Sequence, residues 1–589
     1  MQLNRDSIIK GIIGLNLLIL LVLPQLNDVH YDPLPQFWAE ATFAYAAISL
    51  FLVVCFSQKT LSIPNIVIPL VIFAVFLVIQ PKLVHVDFIG LSYVASIEFV
   101  ICILLAISVS TLKEVYGLSY VVTLISYVLI IGALLQSLIG LIQYLGLAQY
   151  FNDWIFYDSA HPTTNIFGHF GQRNHYCHYL TWATFALIYL YNIKKINHYI
   201  FYPLIAWLTF SITISGSRSV FIYFAIAIMI SLLYLIVNRD RTSKILFATI
   251  LFVSGFLFAF EYLYPVLQKI LNNQGHLTSG FSRILSSQSS SGGITGRRMI
   301  EWEKAQIVFN AHQIFGIGFN QFANQSVALH YLFPNSPNND GLFTNCHNLI
   351  LQLLAETGII GTLIVVFGVL YSIYGIARLK KIEGVIILCM IGTTLAHSMV
   401  EYPLWYIYFL GPFIMFLSID KPLFKLSANT VAGITMIPIG LLVYILVSGC
   451  FIFNTLVAYS DAPSDKASFI QQGKYLENVA KTSTLWRYPA LYCLDNYINV
   501  DTDNTNALMD QQTQLDYENQ FGGFHPYPDN LIKMGMLNLD LGHVDLAKHY
   551  IDLAITAFPV YKRTYLKTLK DKKYKELYDM VKQRKVRSI

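Results

Sequence analysis

LSYVVTLISYVLIIGALLQSLIGLIQYLG, residues 118–146, decides the fold class. It holds no Asp, Glu, Lys or Arg, and a helix needs roughly 20 apolar residues to cross about 30 Å of hydrocarbon. Working outward, the same length criterion finds further apolar stretches at 8–25, 37–57, 63–80, 89–110, 176–192, 199–214, 219–237, 245–264, 358–377, 384–400, 404–419 and 430–453. Hydrophobic residues make up 55% of the 589 and charged ones 12%, where a soluble chain carries about 25% charged residues. That composition excludes an ordinary cytosolic enzyme, a disordered chain and a coiled coil. The formal net charge of +5 is too mild to suggest a nucleic-acid partner. Seven cysteines give neither a disulfide framework nor a Cys-x-x-Cys pair. The sequence therefore predicts an all-α, polytopic membrane protein with about 13 transmembrane helices.

Basic residues in alternate loops set the orientation. Arg5, Lys10, Lys59, Lys113, Lys194, Lys195, Arg239, Arg241, Lys244, Arg378, Lys380, Lys381, Lys421 and Lys425 fall on one side, against Lys82, Arg173 and Arg218 in the opposite short loops. The N-terminus is thus expected in the cytoplasm, and the first span, with no small-x-small site after it, is expected to remain uncleaved. Four regions follow: transmembrane helices over 1–264, a large external loop over 265–346, further transmembrane helices over 347–453, and a polar helical region over 454–589. Ser286 to Gly296 reads as coil and Arg297 to Phe309 as helix. MLNLDLGHVDLAKHYIDLAITAFP (536–559) has the helix, Gly542 turn, helix and Pro559 of a tetratricopeptide-like pair. The basic stretch from Lys562 to Arg587 reads either as a solvated helix face or as a contact for anionic lipid or an acidic partner.

Charges at bilayer depth are costly and tend to be functional. On this topology five polar motifs gather at the external face. GHFGQRNHYCHYL (168–180) packs Gln172, Arg173, Asn174 and His175 at a membrane edge; His175 and His178 have metal-like spacing but lack further ligands, so no metal is expected. SGSRS (215–219) places Arg218 beyond the turn at Gly216, either snorkelling to headgroups or binding substrate. TGRRMIEWEKA (295–305) offers the Arg297 and Arg298 guanidinia, suited to phosphate oxygens or to a salt bridge with Glu301 or Glu303. NCHNLILQLLAETGIIG (345–361) brings His347 and Asn348 back to the membrane, and histidine can take a proton from a hydroxyl. AHSMVEYPLWYIYFLGP (396–412) adds Glu401 and Tyr402, with Trp405, Tyr406 and Tyr408 as an interfacial belt or a sugar platform.

Arginines beside a histidine suit a reaction on a lipid pyrophosphate, where charge grows on the leaving oxygen. External chemistry fits a lipid-linked donor better than a nucleotide sugar. The ordered set GQRNH, SGSRS, GRR-x-x-E-W, CHN-x-x-L-Q-x-x-A-E-x-G-x-x-G and H-S-x-x-E-Y-P-L-W resembles the O-antigen ligase/polymerase superfamily. Within it the chain is most similar to bacterial protein O-oligosaccharyltransferases of the PglL type, the pilin glycosylases.

The resemblance implies transfer of a glycan en bloc from undecaprenyl pyrophosphate to a Ser or Thr hydroxyl of a pilin-like acceptor protein. It places this multi-pass enzyme in the bacterial inner membrane, with its active site facing the periplasm and no cofactor. It further implies His347 as the base, Arg218 and Arg298 as pyrophosphate ligands, and Gln172, Arg173, Asn174 and His175 shaping the donor pocket near Glu401 and Tyr402. Arg297 and Asn348 complete the substrate-binding set. The competing readings are an O-antigen ligase acting on lipid A-core, a repeat-unit polymerase, and a transporter of lipid-linked glycan; the last should bring ionisable residues to the midplane and show inverted repeats. Cys346 is read as incidental, with a disulfide to Cys177 or Cys493 conceivable.

Overall fold

The computed structural model describes residues 5–152, 154–270, 294–333, 341–500 and 503–584. Helices occupy every apolar stretch of the sequence. Nine of them, among the described residues, are long and apolar enough to cross a membrane, from Arg5–Leu26 to Ala428–Ala458. The chain is a multi-pass, mostly helical membrane protein. Three more, Val67–Leu83, Ile382–Ser398 and Ile407–Leu417, are apolar but shorter. The helix Arg173–Asn192 is long but less apolar, and its position explains why. Every residue from His175 to Leu190 is buried, so this helix meets protein on all sides and needs no lipid-facing stripe. The helix Ala428–Ala458 is its opposite, with Ile437 84% and Phe451 73% exposed.

At one end of the bundle a two-stranded antiparallel ribbon pairs Thr60–Pro64 with Pro422–Ser427, Thr60 opposite Ser427 and Leu61 opposite Leu426. Lys113 donates to the backbone carbonyl of Asp420, and Lys425 pairs with Glu114 at 3.0 Å. Lys10 lies 5.0 Å from the centre of the Tyr116 ring. The basic loops that the sequence groups on one side thus converge on one end.

At the other end, the helix Leu349–Ala377 is broken at Gly358, whose φ is 62°. The break exchanges backbone hydrogen bonds with the preceding loop. Ile317 N donates to Ala355 O (3.1 Å), Gly318 N to Glu356 O (3.0 Å) and Ile359 N to Gln313 O (2.8 Å). A Cβ on Gly358 would collide with the Ile314 carbonyl, and one on Gly316 with the Glu356 carbonyl. Backbone meets backbone here because neither glycine carries a side chain.

The stretch read as coil from Ser286 lies outside the described residues as far as 293; from Ile294 the chain is helical, through Ala311. Two helices, Arg241–Ile270 and Ala428–Ala458, run past the apolar stretches that mark them in the sequence. The C-terminal region folds into helices around a core that includes Leu476, Leu494, Leu537 and Ile551. Pro528–Asp540 and Val544–Ala557 are packed helices joined through Gly542 at φ 83°. Phe88 just before the helix Ile89–Tyr116, Leu456 from Ala428–Ala458, and Val327 from Phe322–Ala328 belong to the same apolar cluster. The C-terminal region therefore shares its core with the rest of the chain.

Candidate active site

The site is organised around Glu401, in the short loop between the helices Ile382–Ser398 and Ile407–Leu417. Its side chain is 2% exposed. Oε1 accepts from Asn174 Nδ2 at 2.9 Å and from the Arg298 guanidinium; Oε2 accepts from His347 Nδ1 at 2.9 Å. Burial by itself would raise this carboxyl, but the His347 hydrogen bond and the Arg298 charge hold it well below the usual carboxylate range. An ionised carboxylate on Nδ1 fixes the imidazole tautomer with its proton there and leaves Nε2 with a free lone pair. Nδ1–H to a buried carboxylate is the orienting contact that a general base needs.

Local sequence explains how each group arrives. His347 takes a left-handed backbone, φ 57°, immediately before a helix. Asn348 caps that helix, its Oδ1 accepting from Ile350 N and Leu351 N at 3.2 Å each. Cys346 N donates to Gln352 Oε1 at 2.7 Å, closing the turn from the other side. A left-handed non-glycine residue costs roughly 1–2 kcal/mol, so this turn is held by its surroundings. Arg298 sits in the first turns of Ile294–Ala311, with Arg297 half-buried beside it. Arg218 lies in the turn between His198–Ser215 and Val220–Asn238. Its neighbour Ser217 donates through Oγ to Asn174 Oδ1 at 2.8 Å, so Ser217, Asn174, Glu401 and His347 form one chain of contacts. The Arg218 side chain is half-buried and makes no ion pair among the described residues.

The remaining residues singled out by the sequence divide. Tyr402 packs edge-on to His347, with ring centres 5.1 Å apart. Arg173 donates to Asn165 Oδ1 at 2.7 Å, which ties it to the loop before the helix. Gln172 caps the helix start by position without a side-chain hydrogen bond. His175 is not at the mouth. It is 4% exposed, packed against the rings of His397, Tyr406 and Phe409.

Alternatives that the sequence leaves open narrow here. Glu301 does not pair with Arg297 or Arg298; it takes Lys304 at 2.7 Å, while Arg298 takes Glu401. Cys177, Cys346 and Cys493 are free thiols, so the conceivable disulfide is absent among them. The aromatic group is not a lipid-facing belt. Tyr408 is buried with its hydroxyl on Gln36 Oε1 (2.9 Å), and Trp405 Nε1 donates to Asn320 Oδ1 (3.2 Å) in the loop before Leu349–Ala377. Each has found a protein partner instead of a headgroup. Among the described residues no group of three or more His, Cys, Asp or Glu is arranged to hold a metal ion.

The fold and site define a helical membrane protein in which one buried carboxylate orients a histidine and holds an arginine. Comparison with known proteins agrees. The O-antigen ligase family model matches residues 203–366, the protein glycosylation ligase model residues 166–191, and the C-terminal model of virulence-factor membrane-bound polymerases residues 385–569. A general O-oligosaccharyltransferase of Acinetobacter baylyi (strain ATCC 33305 / BD413 / ADP1) is 29% identical over 294 residues, 49% of each chain. A ComP-specific O-oligosaccharyltransferase of the same strain is 25% identical over 344 residues, 58% of this chain and 59% of the relative. The chain thus spans 49% and 59% of the lengths of these curated relatives. Together the matches show that parts of this chain are similar to the O-antigen ligase family and to O-oligosaccharyltransferases.

Proposed function

We propose that this chain is a glycosyltransferase that moves an oligosaccharide en bloc from undecaprenyl pyrophosphate to a Ser or Thr hydroxyl of an acceptor protein, a type IV pilin. The observation that carries the proposal is the contact of His347 Nδ1 with Glu401, whose other oxygen holds Arg298. His347 Nε2 takes the acceptor hydroxyl proton as that oxygen attacks the anomeric carbon. The bond from that carbon to the pyrophosphate oxygen breaks, and undecaprenyl pyrophosphate leaves with the bonding electrons. Arg218 and Arg298 stabilise the charge that grows on it. Backside attack makes the transfer inverting. Asn174 and Arg173 line the donor side, and Tyr402 walls the histidine.

In this reading the chain crosses the bacterial inner membrane thirteen times with its N-terminus in the cytoplasm. The site and the tetratricopeptide-like C-terminal region face the periplasm, where that region receives the acceptor. Intact mass of a pilin co-expressed in a host that builds a lipid-linked glycan but lacks its own ligase tests it. A pilin heavier by one glycan is the expected result. The second reading is a lipopolysaccharide ligase or repeat-unit polymerase, which the O-antigen ligase and polymerase family matches favour. Unmodified pilin with a new lipopolysaccharide ladder would establish that reading instead. Transport of lipid-linked glycan has no such support.

A further inference from the structure

Behind Arg298 lies a buried polar network that the mechanism does not use. On the helix Ile294–Ala311, Arg298, Glu301, Ala305 and Val308 follow one another at helical spacing, so the arginine continues the buried stripe. Lys304 is wholly buried in the same helix. Its Nζ donates to Glu301 Oε1 at 2.7 Å, to Ser326 Oγ at 3.2 Å and to His330 Nδ1 at 3.2 Å. All three ammonium protons are thereby used. Ser326 Oγ in turn donates to Glu301 Oε2 at 2.6 Å. An ammonium only donates, so His330 Nδ1 accepts, and the ring is neutral with its proton on Nε2. Burial and the Lys304 charge push the His330 imidazole down to about 4, which keeps it in that form.

This network joins two pieces of the loop before Leu349–Ala377: the arginine helix, and the segment Phe322–Ala328 with the single turn Leu329–Leu332 after it. The second piece packs against Gln511–Phe524 and Val544–Ala557 of the C-terminal region, and its Val327 enters the C-terminal core. A fully satisfied buried network fixes one arrangement, because any rotation of the helix strands a charge away from water. At about 100° per residue, a small turn of Ile294–Ala311 would carry Arg298 off Glu401.

We propose that Glu301, Lys304, Ser326 and His330 form the joint through which the C-terminal region sets the position of Arg298, making Lys304 and Ser326 positioning residues for the pyrophosphate. The inference rests on the reading of Arg298 as a pyrophosphate ligand.

The test is the affinity of the full-length protein in nanodiscs for undecaprenyl pyrophosphate, which requires neither glycan nor acceptor. Melting is followed on the same samples. Arg298→Gln should weaken binding on the order of tenfold. The paired change Glu301→Gln with Lys304→Met, which leaves no uncompensated charge, should weaken it to a similar extent. Ser326→Ala removes the Ser326 contacts between the two pieces while keeping the ion pair and the Lys304–His330 contact, and should weaken binding several-fold. Ser326→Thr, which keeps the hydroxyl, should restore it. Adding any of these losses to Arg298→Gln should cost nothing more. Wild-type affinity in the paired change and in Ser326→Ala, no rescue by threonine, or losses that multiply with Arg298→Gln would overturn the joint while leaving Arg298 as a ligand. Unchanged binding in Arg298→Gln would overturn the reading of the site itself, and the joint with it.

Discussion

Glu401 precedes and Asp420 follows the helix Ile407–Leu417, so two buried carboxylates stand at the two ends of one element. Their surroundings drive them in opposite directions. Burial pushes the Asp420 carboxyl up to about 6, with a hydrogen bond from Asn65 Nδ2 at 2.7 Å and the nearby Lys113 only partly offsetting it. Against its burial, Glu401 is held low by the His347 hydrogen bond and the Arg298 charge. The contrast extends to exposure. The His347 and Arg298 side chains are 17% and 20% exposed, so Glu401 hands its charge on to groups that reach the mouth. Around Asp420 the polar contacts are with Asn65, just after the first ribbon strand, and with Lys113, which is 7% exposed. A buried carboxylate whose partners remain open organises chemistry; one whose partners are closed in staples the chain.

The strongest way to break that contrast is His347→Ala, expected to lower glycan transfer about 10⁴-fold while leaving lipid-linked donor bound, as read by pilin mass and by donor co-purification. Normal pilin glycosylation by this variant would remove His347 from the mechanism. Next is Glu401→Gln, which keeps the shape and loses the charge; transfer should fall about 10²-fold. Equal activity would mean that the carboxylate only packs.

The Asp420 end should behave otherwise. Lys113→Met strands the Asp420 carbonyl and should cost about 1–3 kcal/mol of stability, lowering the melting temperature with transfer per folded molecule unchanged. A parallel loss of transfer would show the two ends to be coupled. The smallest effect is pH-dependent. The Asp420 pKa lies above its unfolded value, so its stabilising contribution is present below about pH 4 and is lost as pH rises through about 6. Asp420→Asn should therefore raise the melting temperature relative to wild type more at pH 7 than at pH 4. Glu401→Gln should do the reverse, because a depressed carboxyl stabilises at neutral pH and loses that contribution as pH falls.

The membrane helices were legible because each needs about 20 consecutive apolar residues, a signal that lies within one stretch of sequence. The site motifs were legible for a related reason: Asn174, Arg218, His347 and Glu401 are polar residues at the edges of such stretches. What joins them was not. His347 and Glu401 are 54 positions apart, and nothing local in either segment announces the other. The break at Gly358 looks like any glycine in an apolar run until the loop backbone is seen against it. Lys304 reads as a solvated helical lysine, and only tertiary packing buries it. The strand pair was missed as well, since residues 60–64 and 422–427 are short and each depends on a partner that no neighbouring sequence supplies.

That ribbon carries a consequence for how the molecule is made. Its two strands lie more than 350 positions apart, so the second strand leaves the ribosome only after almost every membrane helix has been synthesised. Until Pro422–Ser427 emerges, Thr60–Pro64 has no strand to pair with and that end of the bundle stays unsealed. The seam therefore closes late, after the loops that build the opposite mouth are already made, and only the helix Ala428–Ala458 and the C-terminal region are added after it.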